Sequence, residues 1–182
     1  MISFKLSLDE KIPRGNWLIP FLLSLILVSC RQTFYIVRHA EKEVTGGSNV
    51  MMSNDPPLTE AGKQRAEALK EVLKKKKIGY IFSTNTIRTR STAEPVRAYF
   101  NLVIETYQPA PDTAFFSHLL SLKKNVLLIG HSNTVDDLVN KLCGSVKIKA
   151  DLPDTAYDNL FVIRKKGKKS IFENRKYGNP SR

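Results

Sequence analysis

The chain has 182 residues, of which 42% are hydrophobic and 25% are charged, which fits one globular domain and excludes wholesale disorder. Its formal net charge of +12 predicts attraction to anions in general: phosphate esters, nucleic acid or acidic lipid head groups. Two cysteines, Cys30 and Cys143, cannot build a disulfide framework, and no Cys/His cluster has zinc spacing. A small disulfide-rich secreted protein and a zinc finger are therefore excluded.

The first thirty residues have the pattern of a targeting signal. The apolar run 17–28 is shorter than the about 20 residues that span a bilayer. It ends at Leu27-Val28-Ser29-Cys30, which resembles the bacterial lipobox, where the cysteine becomes the lipidated first residue of the mature protein. We predict a lipoprotein signal peptide over 1–29, cleaved before Cys30. An uncleaved N-terminal anchor and a buried core segment are the alternatives.

Strand-like and helix-like segments alternate from Thr33 onward. The predicted strands are 33–37, 80–83, 102–106 and 126–129, and a hairpin with a basic tip joins 159–164 to 170–174. Helices are predicted after Thr59, over 86–100 with a break or restart at Pro95, over 113–124, and from Val135 to a stop at Gly144. The alternation predicts an α/β domain over 33–176 with a mostly parallel, helix-covered sheet.

Chemically active side chains follow three of these strands. They are Arg38 and His39 after the first strand, Arg88 in the segment after the second, and His131 after the fourth. Reactive groups of open α/β sheets lie at the carboxyl ends of the strands. Guanidinium matches phosphate oxygens, and imidazole is a nucleophile near neutral pH. The set therefore predicts a phosphoryl pocket that holds a nitrogen nucleophile.

The same segments resemble the histidine phosphatase superfamily, also called phosphoglycerate mutase-like. The resemblance covers Arg38-His39-Ala40-Glu41-Lys42, Leu58-Thr59-Glu60-Ala61-Gly62, the stretch 83–93 and Gly130-His131-Ser132-Asn133-Thr134. It implies a three-layer α/β/α sandwich with a mostly parallel central sheet. It also implies that His39 becomes phosphohistidine, with Arg38, Arg88 and His131 around the phosphoryl group, and that water then hydrolyses the intermediate. No metal and no other cofactor is implied, because two arginines and an imidazolium supply the positive charge.

The proton donor to the leaving group is left open among Asp112, Glu105 and Glu41, of which Asp112 is alternatively the N-cap of a helix. Asn133 or Thr134 is expected to cap the next helix, and Asn133 alternatively contacts substrate. His118 is expected to be an ordinary helix residue.

The resemblance favours a phosphatase acting on a phosphorylated small molecule or a phosphoprotein. The lipobox adds a lipid anchor in a bacterial envelope membrane, on its periplasmic or extracytoplasmic face. A cofactor-dependent phosphomutase and a non-catalytic anion-binding envelope lipoprotein are the alternatives. No nucleic-acid partner is expected, because no basic and aromatic binding motif accompanies the charge.

Overall fold

The computed structural model describes residues 31–44, 55–167 and 169–181, so the predicted signal over 1–29 and Cys30 lie outside the described residues. The elements in chain order are β1 (Arg31–Arg38), α1 (Glu60–Leu73), β2 (Ile78–Ser83), α2 (Ile87–Phe100), β3 (Ile104–Thr106), α3 (Thr113–Ser121), β4 (Asn125–Gly130), α4 (Val135–Cys143), β5 (Asn159–Lys166) and β6 (Lys169–Lys176). Within the described part of the chain, no helix is long and apolar enough to cross a membrane.

The six strands form one sheet in the order β3-β2-β4-β1-β5-β6. The pairs β2–β3, β2–β4 and β1–β4 are parallel, whereas β1–β5 and β5–β6 are antiparallel. The sheet is therefore mixed, and its parallel part brings the ends of β1, β2 and β4 to one edge. This is the edge at which the sequence predicted the chemistry.

Helices cover both faces of the sheet because the strand residues alternate between two apolar clusters. Tyr35 and Val37 of β1 pack in a cluster with α1 and α2, whereas Phe34 and Ile36 pack in a cluster with α3 and α4. A strand that is buried on both faces reads as a continuous apolar run, as β1 and β4 do. The predicted α/β sandwich of three layers is confirmed.

Three predicted element boundaries differ from the structure. The expected break at Pro95 is wrong, since α2 continues through it, with Ala93 and Val96 buried on either side. The third strand is shorter than predicted. Asn101 adopts a left-handed conformation (φ 51°), and the amide of Leu102 donates to the carbonyl of Arg97. Leu102, the first residue of the expected strand, is therefore part of the end of α2. Helix α3 ends at Ser121, because Leu122 is extended.

Candidate active site

His39 lies directly after β1, at the parallel edge, and its side chain is 3% exposed. Its amide donates to the carbonyl of Gly130 at 2.9 Å, which ties the end of β1 to the end of β4. Ring atom Nδ1 is 2.8 Å from the carbonyl oxygen of Ala40, and the amide of Ala40 donates to Thr92 Oγ1 at 2.9 Å. A carbonyl oxygen only accepts, so Nδ1 carries the ring hydrogen and the lone pair is on Nε2.

The electrostatic surroundings keep His39 uncharged. Burial, together with the positive charges of Arg38 and Arg88, lowers its pKa to about 3. The ring is therefore neutral at physiological pH, and its Nε2 lone pair is free to form a bond. This is the protonation state that a nitrogen nucleophile requires.

His131 follows β4, and its ring centroid is 5.5 Å from that of His39. The hydroxyl of Thr134 accepts from the amide of His131 at 3.0 Å and so fixes the turn. Ring atom Nδ1 is 3.3 Å from Nη2 of Arg88, and Nε2 is 2.8 Å from Oγ1 of Thr84. Burial, followed by the charges of Arg88 and Arg38, lowers the pKa of His131 to about 4.

Arg38 is the last residue of β1, and its side chain is buried beneath the segment 153–157. Its Nη1 donates to the carbonyl of Pro153 at 2.8 Å, and its Nη2 contacts Oδ1 of Asp154 at 3.4 Å. The guanidinium carbon lies 4.3 Å from the ring centroid of Tyr157, a cation–π contact. These three contacts hold the guanidinium of Arg38 in place against that segment.

Arg88 lies in the first turn of α2 and is held by Asp55. Its Nη1 donates to Asp55 Oδ1 at 2.9 Å, while the amide of Ile87 donates to Oδ2 at 2.7 Å. The Nε atoms of Arg38 and Arg88 are both buried, and neither has a hydrogen-bond partner within the described residues. A buried donor without a partner costs about 1–3 kcal/mol, and an oxyanion that accepted from both would remove this cost.

A cleft of about 810 Å³ adjoins the site on the side of Arg38 and Tyr157. Gln64 of α1 and residues 178–181 also line it. A cleft of this volume is large enough for a small molecule.

The three predicted proton donors are engaged or exposed. Both carboxylate oxygens of Glu41 accept from Arg65, at 2.6–2.9 Å, so Glu41 is the ion-pair partner of Arg65. Asp112 is the N-cap of α3 and accepts from the amide of Phe115 at 2.9 Å, as its alternative role predicted. Glu105 is an exposed residue of the short strand β3.

The two roles considered for Asn133 are not equally supported. The N-cap position of α4 is Thr134, so the expectation that Asn133 caps this helix is wrong. Asn133 is instead an exposed residue of the turn between His131 and α4. His118 is exposed in α3, with its ring 6.0 Å from that of Phe82, as expected for an ordinary helix residue.

Sequence reasoning missed five residues of the site. Thr84 was within a segment already singled out by its position after β2, but its hydroxyl gave no separate signal. The other four lie on loops, where no periodic pattern brings them toward the arginines; they are Asp55, Pro153, Asp154 and Tyr157.

The chain is similar to known proteins in part of its sequence and in its fold. Residues 34–109 match the model of the histidine phosphatase superfamily (branch 1). A protein of Photorhabdus laumondii named probable phosphoglycerate mutase GpmB is 37% identical over 60 residues, which is 33% of this chain and 28% of that protein. The chain thus aligns with under a third of that relative.

Solved structures show the same fold at low identity. The protein histidine phosphatase SixA complexed with tungstate has a TM-score of 0.61 and 21% identity, over 79% of this chain and 96% of that chain. YhfR of Bacillus stearothermophilus has a TM-score of 0.59 and 19% identity, over 82% and 98%. A mycobacterial glucosyl-3-phosphoglycerate phosphatase has a TM-score of 0.57 and 16% identity, over 81% and 98%. The family model thus matches the part of the chain from β1 to just after β3, and the solved structures share the fold.

Proposed function

We propose that this chain belongs to the histidine phosphatase superfamily. We further propose that it is a metal-independent phosphatase with His39 as nucleophile. The observation that carries the proposal is the pair of buried Nε donors of Arg38 and Arg88, which lie beside a neutral imidazole. Two fixed guanidinium groups supply positive charge to the equatorial phosphoryl oxygens without a metal ion.

In the first step, Nε2 of His39 forms a bond to phosphorus as the bond from phosphorus to the leaving group breaks. Arg38, Arg88 and His131 bind the three equatorial oxygens, whose charge is largest in the transition state. The bond between Nδ1 of His39 and the Ala40 carbonyl holds the ring in the required orientation. The products of this step are phosphohistidine at position 39 and the departing group.

In the second step, a water oxygen attacks phosphorus and the bond between phosphorus and Nε2 breaks. The products are inorganic phosphate and the neutral imidazole. His131 is close to the reacting nitrogen in both steps, since its ring centroid is 5.5 Å from that of His39. Protonated by the incoming anion, His131 stabilises both transition states.

The engaged carboxyl groups favour a leaving group that needs little protonation. Glu41 is bound by Arg65, Asp55 by Arg88, and the carboxylate of Asp154 contacts Arg38. The imidazole of a phosphohistidine leaves readily without a strong acid, whereas an alkoxide needs a proton. We therefore place phosphohistidine of a phosphoprotein, or an activated phosphomonoester, ahead of an ordinary sugar phosphate. Asn133, in the turn after His131, is proposed to contact the substrate.

Hydrolysis of an aryl phosphate by the purified protein in the presence of a chelator tests the activity. We expect His39→Ala to abolish turnover and His118→Ala, a substitution of the exposed histidine in α3, to leave it intact. Radiolabelled phosphate transferred to the chain should be acid-labile and absent from His39→Ala. If the His39→Ala protein released phosphate as fast as the wild-type protein, the proposed phosphatase activity would be excluded.

The two alternatives give different results in the same assay. A non-catalytic anion-binding protein would bind tungstate but release no phosphate. A cofactor-dependent phosphomutase would move the phosphoryl group within a phosphoglycerate faster than it releases phosphate. Only release of phosphate with a labelled His39 supports the phosphatase.

We also propose that the chain is a lipoprotein of the bacterial envelope, with cleavage before Cys30 and a lipid on that cysteine. The support is the apolar run 17–28 and the lipobox-like tetrapeptide that follows it. Labelled palmitate should enter the wild-type protein and the Cys143→Ser control but not Cys30→Ser. Absence of label from the wild-type protein would exclude the lipid anchor.

A further inference from the structure

The edge of the sheet opposite His39 is strongly basic. Strands β1, β2 and β4 begin there, and β5 ends there because it runs antiparallel to β1. Three lysine-rich segments without acidic residues lie at these strand ends: 74–77, 123–125, and 165–167 with Lys169. We call this surface the basic edge; its described lysines are Lys74, Lys75, Lys76, Lys77, Lys123, Lys124, Lys165, Lys166 and Lys169.

Specific contacts bring the three segments together around the start of β1. The Asn125 side chain donates to the Lys76 carbonyl at 2.5 Å and accepts from the Thr33 amide at 3.0 Å. The side chain of Gln32 donates to the carbonyl of Lys124 at 3.4 Å. In the β1–β5 register, Gln32 faces Lys165. The basic edge is therefore one continuous surface, and the chain enters the fold in its middle.

Local structure accounts for only some of these lysines. Lys74 pairs with Glu71 at the end of α1, and the ammonium of Lys165 donates to the Leu142 carbonyl at 3.1 Å. Six others have exposed side chains: Lys75, Lys77, Lys123, Lys124, Lys166 and Lys169. A helix dipole favours cations at a helix end, but this explains one segment and not three. The accumulated charge is suited to an extended anionic surface.

We propose that the basic edge rests on an anionic phospholipid bilayer and that the catalytic site faces away from it. This inference rests on the lipid anchor proposed above. Cys30 directly precedes Arg31, the first residue of β1, so a lipid on that cysteine lies next to the basic edge. In an uncleaved chain, such as Cys30→Ser, the apolar run ends at Val28, and the three extended residues from there to Arg31 span only about 10 Å. Counter-ions screen charge over about 8 Å at physiological ionic strength, so an anchored chain holds the basic edge within reach of the head groups.

The same geometry sets the direction from which substrate arrives. Strands β1 and β4 span the sheet from the basic edge to His39 and His131, and a strand of six to eight residues is about 20–27 Å long. The cleft beside Arg38 therefore opens on the aqueous side, away from the membrane. A soluble phosphorylated molecule or a phosphoprotein domain could reach His39 without displacing the anchored edge.

Vesicle partitioning of the full chain tests the electrostatic contact. The protein carries Cys30→Ser so that no lipid is attached, and its partition coefficients are measured on phosphatidylcholine vesicles and on vesicles that also contain phosphatidylglycerol. The ratio of the two coefficients separates the charge contribution from the apolar run, which both vesicles bind. The test variant is Lys75→Gln/Lys123→Gln/Lys166→Gln, with one substitution in each segment.

Neutralising three lysines close to an anionic surface is expected to lower this ratio about 100-fold. The matched control neutralises three exposed cations near the other edge: Lys63→Gln, Arg90→Gln and Arg175→Gln. We expect the control to retain most of the ratio. An equal fall in both variants would mean that net charge alone acts, and it would overturn the assignment of this surface. Aryl phosphate hydrolysis is unchanged in both variants if they fold, so failure here is distinct from failure of the phosphatase proposal.

Acylation of lysines in the wild-type chain gives a readout that needs no variant. An amine-reactive ester followed by mass spectrometry should modify Lys75, Lys123 and Lys166 less on phosphatidylglycerol vesicles than in solution, while Lys63 stays reactive. Equal reactivity of all four would overturn the proposal. Duplex DNA gives the remaining outcome. If the wild-type protein binds DNA more tightly than the test variant does, while both have the same vesicle ratio, the surface would be assigned to nucleic acid instead.

Discussion

Nη2 of Arg88 donates to Nδ1 of His131 at 3.3 Å, and this contact decides where the proton of His131 lies. A guanidinium can only donate, so Nδ1 must accept and the ring hydrogen is on Nε2, which donates to Thr84 at 2.8 Å. With its pKa lowered to about 4, His131 is neutral in the free protein near pH 7. The second proton that makes it an imidazolium therefore has to come with the substrate.

This protonation state predicts an acidic optimum for kcat/KM on a phosphomonoester. Between about pH 4 and about pH 6, the free protein is neutral at His131 and the substrate is a monoanion, whose second pKa is about 6. The complex then carries one proton, which makes His131 an imidazolium and leaves the phosphoryl group a dianion. Below pH 4 there is one proton too many, and above pH 6 one too few, so both limbs fall about tenfold per pH unit.

The pH–rate profile with two aryl phosphates of different second pKa checks this assignment. A more acidic ester should move the alkaline limb to lower pH by the difference in pKa and leave the acidic limb in place. If both limbs stay fixed, the protein alone sets the profile and the proton does not arrive with the substrate.

The buried Nε donors predict that Arg38→Lys and Arg88→Lys each lower kcat/KM about 10²–10³-fold. Lysine keeps a positive charge but removes Nε and the planar fork that can reach two oxygens at once. Arg90→Lys, on an exposed residue two positions after Arg88, is the control and should change kcat/KM little. Equal small effects of all three would show that charge alone suffices.

Glu41 is predicted to contribute to stability and not to proton transfer. Arg65 is 4% exposed and donates to both oxygens of Glu41, while its Nη1 donates to the carbonyl of Tyr177 at 3.0 Å. Glu41→Gln leaves the Arg65 charge buried without its partner and should lower the free energy of unfolding by about 2–4 kcal/mol. Thermal unfolding should show this loss, whereas kcat of the folded variant on an aryl phosphate should be nearly unchanged. Lost kcat without lost stability would make Glu41 the acid.

The sequence predicted the sheet and the four convergent side chains because both follow from regular patterns. Apolar runs in β1 and β4 specify buried strands, and parallel strands must bring their carboxyl ends to one edge. The side chains that hold the arginines could not be predicted in this way. Asp154 and Tyr157 reach Arg38 from a loop more than a hundred residues away, and loop conformations have no periodic signal.

Boundaries were least predictable where two local rules compete. Pro95 disfavours a helix interior, but the packing of Ala93 and Val96 outweighs it. Asn133 and Thr134 are both good N-caps by composition. The structure instead uses the Thr134 hydroxyl to bind the amide of His131, a requirement of the site and not of the helix.

The lowered pKa of His39 and His131 predicts loss of stability in acid. In the folded protein, His39 stays neutral down to about pH 3 and His131 down to about pH 4. In the unfolded chain, both histidines are protonated below about pH 6.5. Between pH 6.5 and 4.5 the unfolded state binds more protons, so stability falls as pH falls, by up to about 1.4 kcal/mol per pH unit for each histidine. Urea unfolding in phosphate-free buffer measures the free energy of unfolding at each pH. This free energy should depend less steeply on pH in His39→Gln than in the wild-type protein, and equally steeply in His118→Gln.

Gly62 in α1 gives a prediction whose sign opposes helix propensity. Alanine normally stabilises a helix interior by about 1 kcal/mol relative to glycine. A Cβ at this position would lie 2.2 Å from the carbonyl oxygen of Glu41, whose backbone is held by the amide of Thr59 at 2.9 Å and cannot easily move. Gly62→Ala should therefore destabilise the protein by about 1–3 kcal/mol, which equilibrium unfolding measures. Ala61→Gly, at an exposed neighbouring position, should cost about 1 kcal/mol by propensity alone. A more stable Gly62→Ala protein would mean that the segment after β1, which contains Glu41, is not packed this closely against α1.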